Sequence, residues 1–208
     1  MRLGLEEVKM LSHIQNSVFF KEFFRKSIHF VSLFIVILYY YFGKSFTLNF
    51  LTLVLCCFLV IEYFRVEKEL KIPIVWKLYR SKEKDKLSGN IYFLIGSIIA
   101  ISIFSKEVAS AAILMTTFGD SAAALIGISY GKRWIKSLPD RAWEGVISEY
   151  LVNLAIGYLF LSNWIVAIIM ASAATIVETL TYKLDDNLLI PLFSGIVGQI
   201  VLITYISL

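Results

Sequence analysis

Apolar runs long enough to cross a lipid bilayer recur along nearly the whole 208-residue chain. A membrane helix needs about 20 mostly apolar residues, and few soluble folds tolerate that many such runs in one domain. The chain is 58% hydrophobic, with a mean hydropathy of +0.75, well above an ordinary soluble domain. Seven spans are predicted, at roughly 27–43, 45–64, 90–105, 107–129, 146–161, 164–182 and 188–207, with ends uncertain by about four residues. The third and fifth are short for a full crossing. The expected fold is all-α: a polytopic integral membrane helix bundle of about seven transmembrane helices. Residues 1–24 form a separate cytoplasmic or interfacial segment, with Phe19, Phe20, Phe23 and Phe24 near its end. That segment suits an amphipathic surface helix and lacks the order of a cleavable signal peptide. Residues 25–208 make one transmembrane catalytic domain.

Charge placement sets the orientation. Lysine and arginine outnumber aspartate and glutamate by 20 to 16, a net charge of +4. All but two of the 20 basic residues lie before span 1 or in the connections 2–3, 4–5 and 6–7; the exceptions are Lys44 and Lys106. Cytoplasmic loops carry such an excess, so the N-terminus is cytoplasmic. The same placement accounts for the positive charge without a nucleic-acid partner. The adjacent Cys56 and Cys57 lie in an apolar span and read as inert thiols.

Asp120 is the residue that apolar packing does not explain. It lies nine residues before the end of span 4, roughly 13 Å along a helix and near the middle of the hydrocarbon layer. A charge there costs about 2.5–3.5 kcal/mol even on the mildest scale, so such acids usually face a polar site. Small residues surround it in "FGDSAAALIGISYGKR". They suit close helix packing, internal or in a homodimer, and Gly119 also suits a local opening of the helix. Gly127 and Gly131 continue the Asp120 face toward the basic turn at Lys132 and Arg133. An acid, a glycine face and a cationic mouth suit a metal-bound phosphate ligand such as a nucleotide. Glu178, about one turn inside span 6, is a second acid of this kind. Glu62 and Arg65 share a helix face and suit either a surface pair or a site. Asp185, Asp186 and Asn187 suit either a helix cap or a site.

The ordered set "RKSIH", "EYFR", "RSKEKDKLSGNIYFLIG", "FGDSAAALIGISYGKR", "WEG", "ATIVETL" and "DNLLIP" resembles the CTP-dependent polyprenol kinase family. That family includes dolichol kinase, phytol kinase and a CTP-dependent diacylglycerol kinase, within the wider phosphatidate cytidylyltransferase-like membrane superfamily. The resemblance covers about residues 24–192. It implies transfer of the γ-phosphate of CTP to a membrane lipid alcohol, giving a lipid monophosphate and CDP, with Mg²⁺ as cofactor. It implies catalytic roles for Asp120, Arg25, Lys26, Glu178 and Asp186. Nucleotide-binding roles fall to Gly119, Gly127, Gly131, Lys132, Arg141, Glu144, Gly145 and Asn187. The metal ligands would come from Asp120, Glu178 and Asp186, and the same three acids are the candidates for accepting the alcohol proton.

One departure concerns the loop before "WEG". The family shows a Lys-Ser or Lys-Thr pair there; here the stretch is "KSLPDRAWEG", and either Lys136 or Arg141 takes the lysine's place. The Pro-Gly-His-Gly-Gly stretch of the cytidylyltransferases is absent, which favours a kinase over an enzyme making a CDP-activated lipid. A small ion- or proton-coupled transporter is the non-enzymatic alternative, because buried acids also serve as ion relays. It is disfavoured by polar residues gathered at one side of the bilayer.

Overall fold

A computed structural model describes residues 31–68, 87–136, 138–181 and 184–206. Element α1 (Val31–Val66) is 36 residues long and consists of two helical arms that meet at Gly43, whose φ of 78° and ψ of 178° are non-helical and lie where only glycine sits without strain. Helix α2 (Gly89–Ile103) follows. A continuous rod comes next: α3 (Lys106–Leu114), one π-helical turn (Met115–Gly119) and α4 (Asp120–Tyr130). Strands β1 (Trp134–Ile135) and β2 (Leu138–Ala142) then form an antiparallel hairpin, with Trp134 opposite Ala142. Helices α5 (Trp143–Leu161), α6 (Trp164–Leu180) and α7 (Asp186–Ile206) complete the described chain.

The helical bundle agrees with the sequence, and a short hairpin is added to it. Four helices have the length and apolarity of a membrane crossing, among them the whole of α1 and the rod Lys106–Tyr130; α2 and α6 are apolar but shorter. Gly43 divides α1 at the boundary between the first two expected spans, and the Phe34 and Phe50 rings on either side of it meet edge-on at 6.3 Å, so the chain folds back there. The fold is also not wholly helical. Pro139 cannot supply a backbone N–H to a helix, and the Trp143 N–H donates to the Arg133 carbonyl at 3.0 Å, closing residues 134–142 into the hairpin.

Helix α3 is the centre of the bundle. Every residue from Val108 to Thr117 is buried, against apolar side chains of α1, α2, α6 and α7 that include Ile35, Leu51, Ile101, Met170 and Ile190. Small residues let the backbones close in. Ala109, Ala111 and Ala112 of α3 and Ala167, Ala171 and Ala174 of α6 are buried inside the chain, so these small faces serve internal packing. Helix α5 presents Gly145, Glu149, Asn153 and Gly157 as its buried stripe. The spacing of four keeps them on one face.

The two isolated lysines brace one end of the bundle. Lys44 Nζ donates to the Ser102 carbonyl at 2.7 Å. Lys106 Nζ reaches the Tyr40 carbonyl at 3.4 Å and lies 4.1 Å from the Tyr40 ring centroid. A kink and a helix end leave carbonyls without intrahelical partners, and the ammonium groups supply them. The Tyr40 ring also meets Phe160 edge-on, 6.3 Å between centroids, so the Gly43 kink, the α2–α3 corner and the end of α5 share this end. The hairpin lies at the other.

The closest approach of α4 and α5 runs through Gly145, where an added Cβ would stand 2.7 Å from the Ala123 carbonyl oxygen. Backbone cannot yield as a flexible side chain does. Gly145→Ala is therefore expected to destabilise the fold by about 1–3 kcal/mol, read as a lowered midpoint of thermal unfolding in detergent micelles.

Candidate active site

The site begins at the π-helical turn. A π turn holds one residue more than the α-helical pattern and recurs at functional positions. Hydroxyl groups line this one: Thr116 donates to the Ala112 carbonyl at 2.9 Å, Thr117 to Ile113 at 3.4 Å and Ser121 to Thr117 at 2.7 Å. Glycine at position 119 leaves room for the Asn153 amide at the turn's end, since a Cβ there would fall 2.4 Å from Asn153 Oδ1. Asp120 is the next residue and opens α4, half-buried.

Across from the turn, α5 and α6 contribute a buried polar layer. Asn153 Nδ2 donates to Thr175 Oγ1 at 3.3 Å. One turn nearer the hairpin stand Glu149 on α5 and Glu178 on α6, each 1% exposed. The hairpin delivers the cation. Arg141 Nη1 lies 2.7 Å from Glu178 Oε1, and Nη2 donates to the Glu178 carbonyl at 2.8 Å. Burial works against the charge on Arg141, but Glu178, then Glu149 and Asp186, outweigh it and hold its pKa above the ordinary arginine value.

Arg141, not Lys136, is thus the loop cation turned toward the acids; Lys136 is exposed. Lys132 is also exposed, beside the hairpin. Glu144, in the first turn of α5, accepts from the Arg133 backbone N–H at 3.3 Å and ties down the loop. Asp186 is the first residue of α7 and lies within the field felt by Arg141.

Other predicted residues have structural tasks. Gly127 and Gly145 face one another across α4 and α5, and a Cβ on Gly131 would strike the Gly127 carbonyl at 2.3 Å. Asp185 caps α7: its Oδ1 accepts from the Asn187 backbone N–H at 3.1 Å and from Asn187 Nδ2 at 2.9 Å. Glu62 and Arg65 are not a surface pair, being 1% and 6% exposed with Arg65 Nε donating to Glu62 Oε2 at 3.0 Å. Arg25 and Lys26 lie outside the described residues.

Three polar residues of the layer were not foreseen: Glu149, Asn153 and Thr175. The predicted start of span 5 at residue 146 left Glu149 looking like part of a polar end. The readable signal was the four-residue spacing of Gly145, Glu149, Asn153 and Gly157. Among the described residues, no three histidine, cysteine, aspartate or glutamate side chains come together as a metal-ligand group.

No family model matches the chain, and no solved structure matches it. Known relatives do. A CTP-dependent diacylglycerol kinase of Schizosaccharomyces pombe is 23% identical over 140 residues, 59% of this chain and 64% of that protein. A chloroplastic phytol kinase of Arabidopsis thaliana is 26% identical over 129 residues, 53% of this chain and 42% of that protein. An uncharacterised protein of Methanocaldococcus jannaschii is 32% identical over 127 residues, 60% of this chain and 65% of that protein. The chain spans less than two thirds of the length of each. At this low identity, the chain is similar to CTP-dependent diacylglycerol kinases and to phytol kinases.

The Arg141–Glu178 pair carries a stability prediction. Arg141→Ala strands a carboxylate in the bundle and is expected to cost on the order of 3 kcal/mol. Replacing Glu178 by Met in the same variant removes the stranded charge and restores most of that loss. Unfolding of both variants in detergent micelles, compared with the parent, measures the difference.

Proposed function

We propose that this protein is a membrane lipid kinase. It transfers the γ-phosphate of CTP to the hydroxyl of an isoprenoid or related lipid alcohol, of the dolichol, polyprenol or phytol kind. The products are a lipid monophosphate and CDP. The observation that carries the reading is Arg141, a cation drawn from a hairpin to the buried Glu178 carboxylate at one end of an apolar bundle, with Glu149 and Asp186 favouring its charge. Relatives named as CTP-dependent diacylglycerol kinase and as phytol kinase support the same chemistry.

Phosphoryl transfer asks a protein for positioning and charge neutralisation more than for covalent chemistry. Arg141 spends two N–H donors on Glu178 and keeps a quarter of its side chain exposed. A guanidinium has five donors, so the rest serve phosphate oxygens. Lys132, with Arg25 and Lys26, adds positive charge for the leaving CDP. Glu178 is already engaged and acts as the anchor of Arg141. Asp120 and Asp186 are the acids assigned to catalysis, and one of them takes the alcohol proton.

Two carboxylates completed by phosphate oxygens are a ligand set that suits Mg²⁺, which seldom takes an all-protein cage. The acids around Arg141 outnumber it, which also favours a divalent cation. Asp120 and Asp186 would hold Mg²⁺, which when bound neutralises charge on the β- and γ-phosphates. The lipid tail stays in the bilayer and the nucleotide comes from the cytoplasm, so the site faces the cytoplasm of a multi-pass protein in the cell membrane.

The purified protein in lipid vesicles is expected to move label from the γ-position of CTP to an added lipid alcohol. Label arriving from the α-position would instead mean cytidylyl transfer and overturn the reading. Asp120→Asn is expected to lower the rate at least about 100-fold with unchanged unfolding. A cysteine replacing Lys136 is expected to react with an impermeant thiol reagent from the cytoplasmic side only; reaction from outside would reverse the topology.

A further inference from the structure

We infer that Glu149 is a positioning residue of this site: with Glu178 it clamps the Arg141 guanidinium and so fixes the hairpin over the end of the bundle. Helices α5 and α6 are joined by the short corner at Ser162 and Asn163 and run antiparallel. The Asn153–Thr175 hydrogen bond, 3.3 Å long, sets their register. Four residues back along α5 is Glu149, and three residues on along α6 is Glu178. Both steps lead about one turn toward the hairpin, and both carboxylates end up 1% exposed. Arg141 enters at this level and is held by side chain and main chain of Glu178, at 2.7 Å and 2.8 Å.

One carboxylate suffices to balance one guanidinium. A second acid in a membrane helix is costly and is retained where it has a task. The task follows from the shape of the cation. A guanidinium held by one residue can still swing about that contact; acids on two helices fix the plane of its fork. Glu149 acts on the charge of Arg141 after Glu178 and ahead of Asp186. Because α5 also carries Glu144, which ties the hairpin through the Arg133 N–H, one helix restrains the hairpin at both ends.

The clamp deepens the kinase reading, and rests on it only for the ligand that Arg141 would meet. The first measurement is therefore independent of CTP: hydrogen exchange of the backbone amides of residues 134–143 in the full chain in lipid nanodiscs. Glu149→Gln is expected to speed their exchange about tenfold while α3, α5 and α6 keep theirs. In the R141K background, which lacks the planar fork, the same substitution is expected to add less than about twofold. Unchanged hairpin exchange in E149Q overturns the clamp, as does an equal rise in both backgrounds or a rise shared by the helices. Where E149Q does not fold, Glu149→Asp decides: shortening the acid while keeping its charge should loosen the hairpin about threefold, and no loosening overturns the clamp.

The second measurement is CTP turnover. E149Q is expected to raise KM for CTP about tenfold with kcat within about twofold. If the parent protein moves no label from CTP but the exchange results hold, the kinase reading alone fails. If the parent is active and hairpin exchange does not respond, the clamp alone fails.

Discussion

A bilayer offers no partner to a stray backbone N–H or carbonyl, and this chain's geometry follows from that constraint. Helices satisfy most groups internally, and each irregularity brings its own remedy. At the Gly43 kink, Thr47 donates to the Gly43 carbonyl at 2.9 Å, and Lys44 and Lys106 reach carbonyls near by. At the π-helical turn, hydroxyls of Thr116, Thr117 and Ser121 do the same. The lysines that break the charge rule are thus structural braces, which explains their presence on the side with few charges.

The same constraint makes ionisable groups costly and so confines them. Arg141 pairs with Glu178, and Glu149 and Asp186 stand in its field. Asp120 adjoins Gly119, which touches Asn153, which bonds Thr175. Polar groups are therefore continuous from the hairpin down to the π turn, between helices that are otherwise apolar. A nucleotide from water and an alcohol from lipid would need to meet along a path of this kind.

Much of this was legible from periodicity alone. The helical segments lie within a few residues of the expected spans, α1 covering the first two and the rod Lys106–Tyr130 the fourth, because apolar length follows bilayer thickness. Asp120 stood out because its cost is large compared with any packing gain. Glu149 did not, since an acid near a span's polar end looks inexpensive until the helix is known to start at Trp143. Gly127, Gly131 and Gly145 suit phosphates and close helices equally well in sequence, and the contacts at Ala123 and Gly127 show the close packing.

By itself the sequence determined the helical membrane bundle, the end of it that carries charge and the acid at its centre, because these depend on hydropathy and desolvation, which are local. Tertiary structure alone decided which cation serves the acids. Lys136 and Arg141 both carry a positive charge and lie five residues apart. The hairpin register and the α5–α6 pairing turn Arg141 inward to Glu178 and leave Lys136 in the open. Which partner a charge finds depends on how separate helices pack, and no local pattern encodes that.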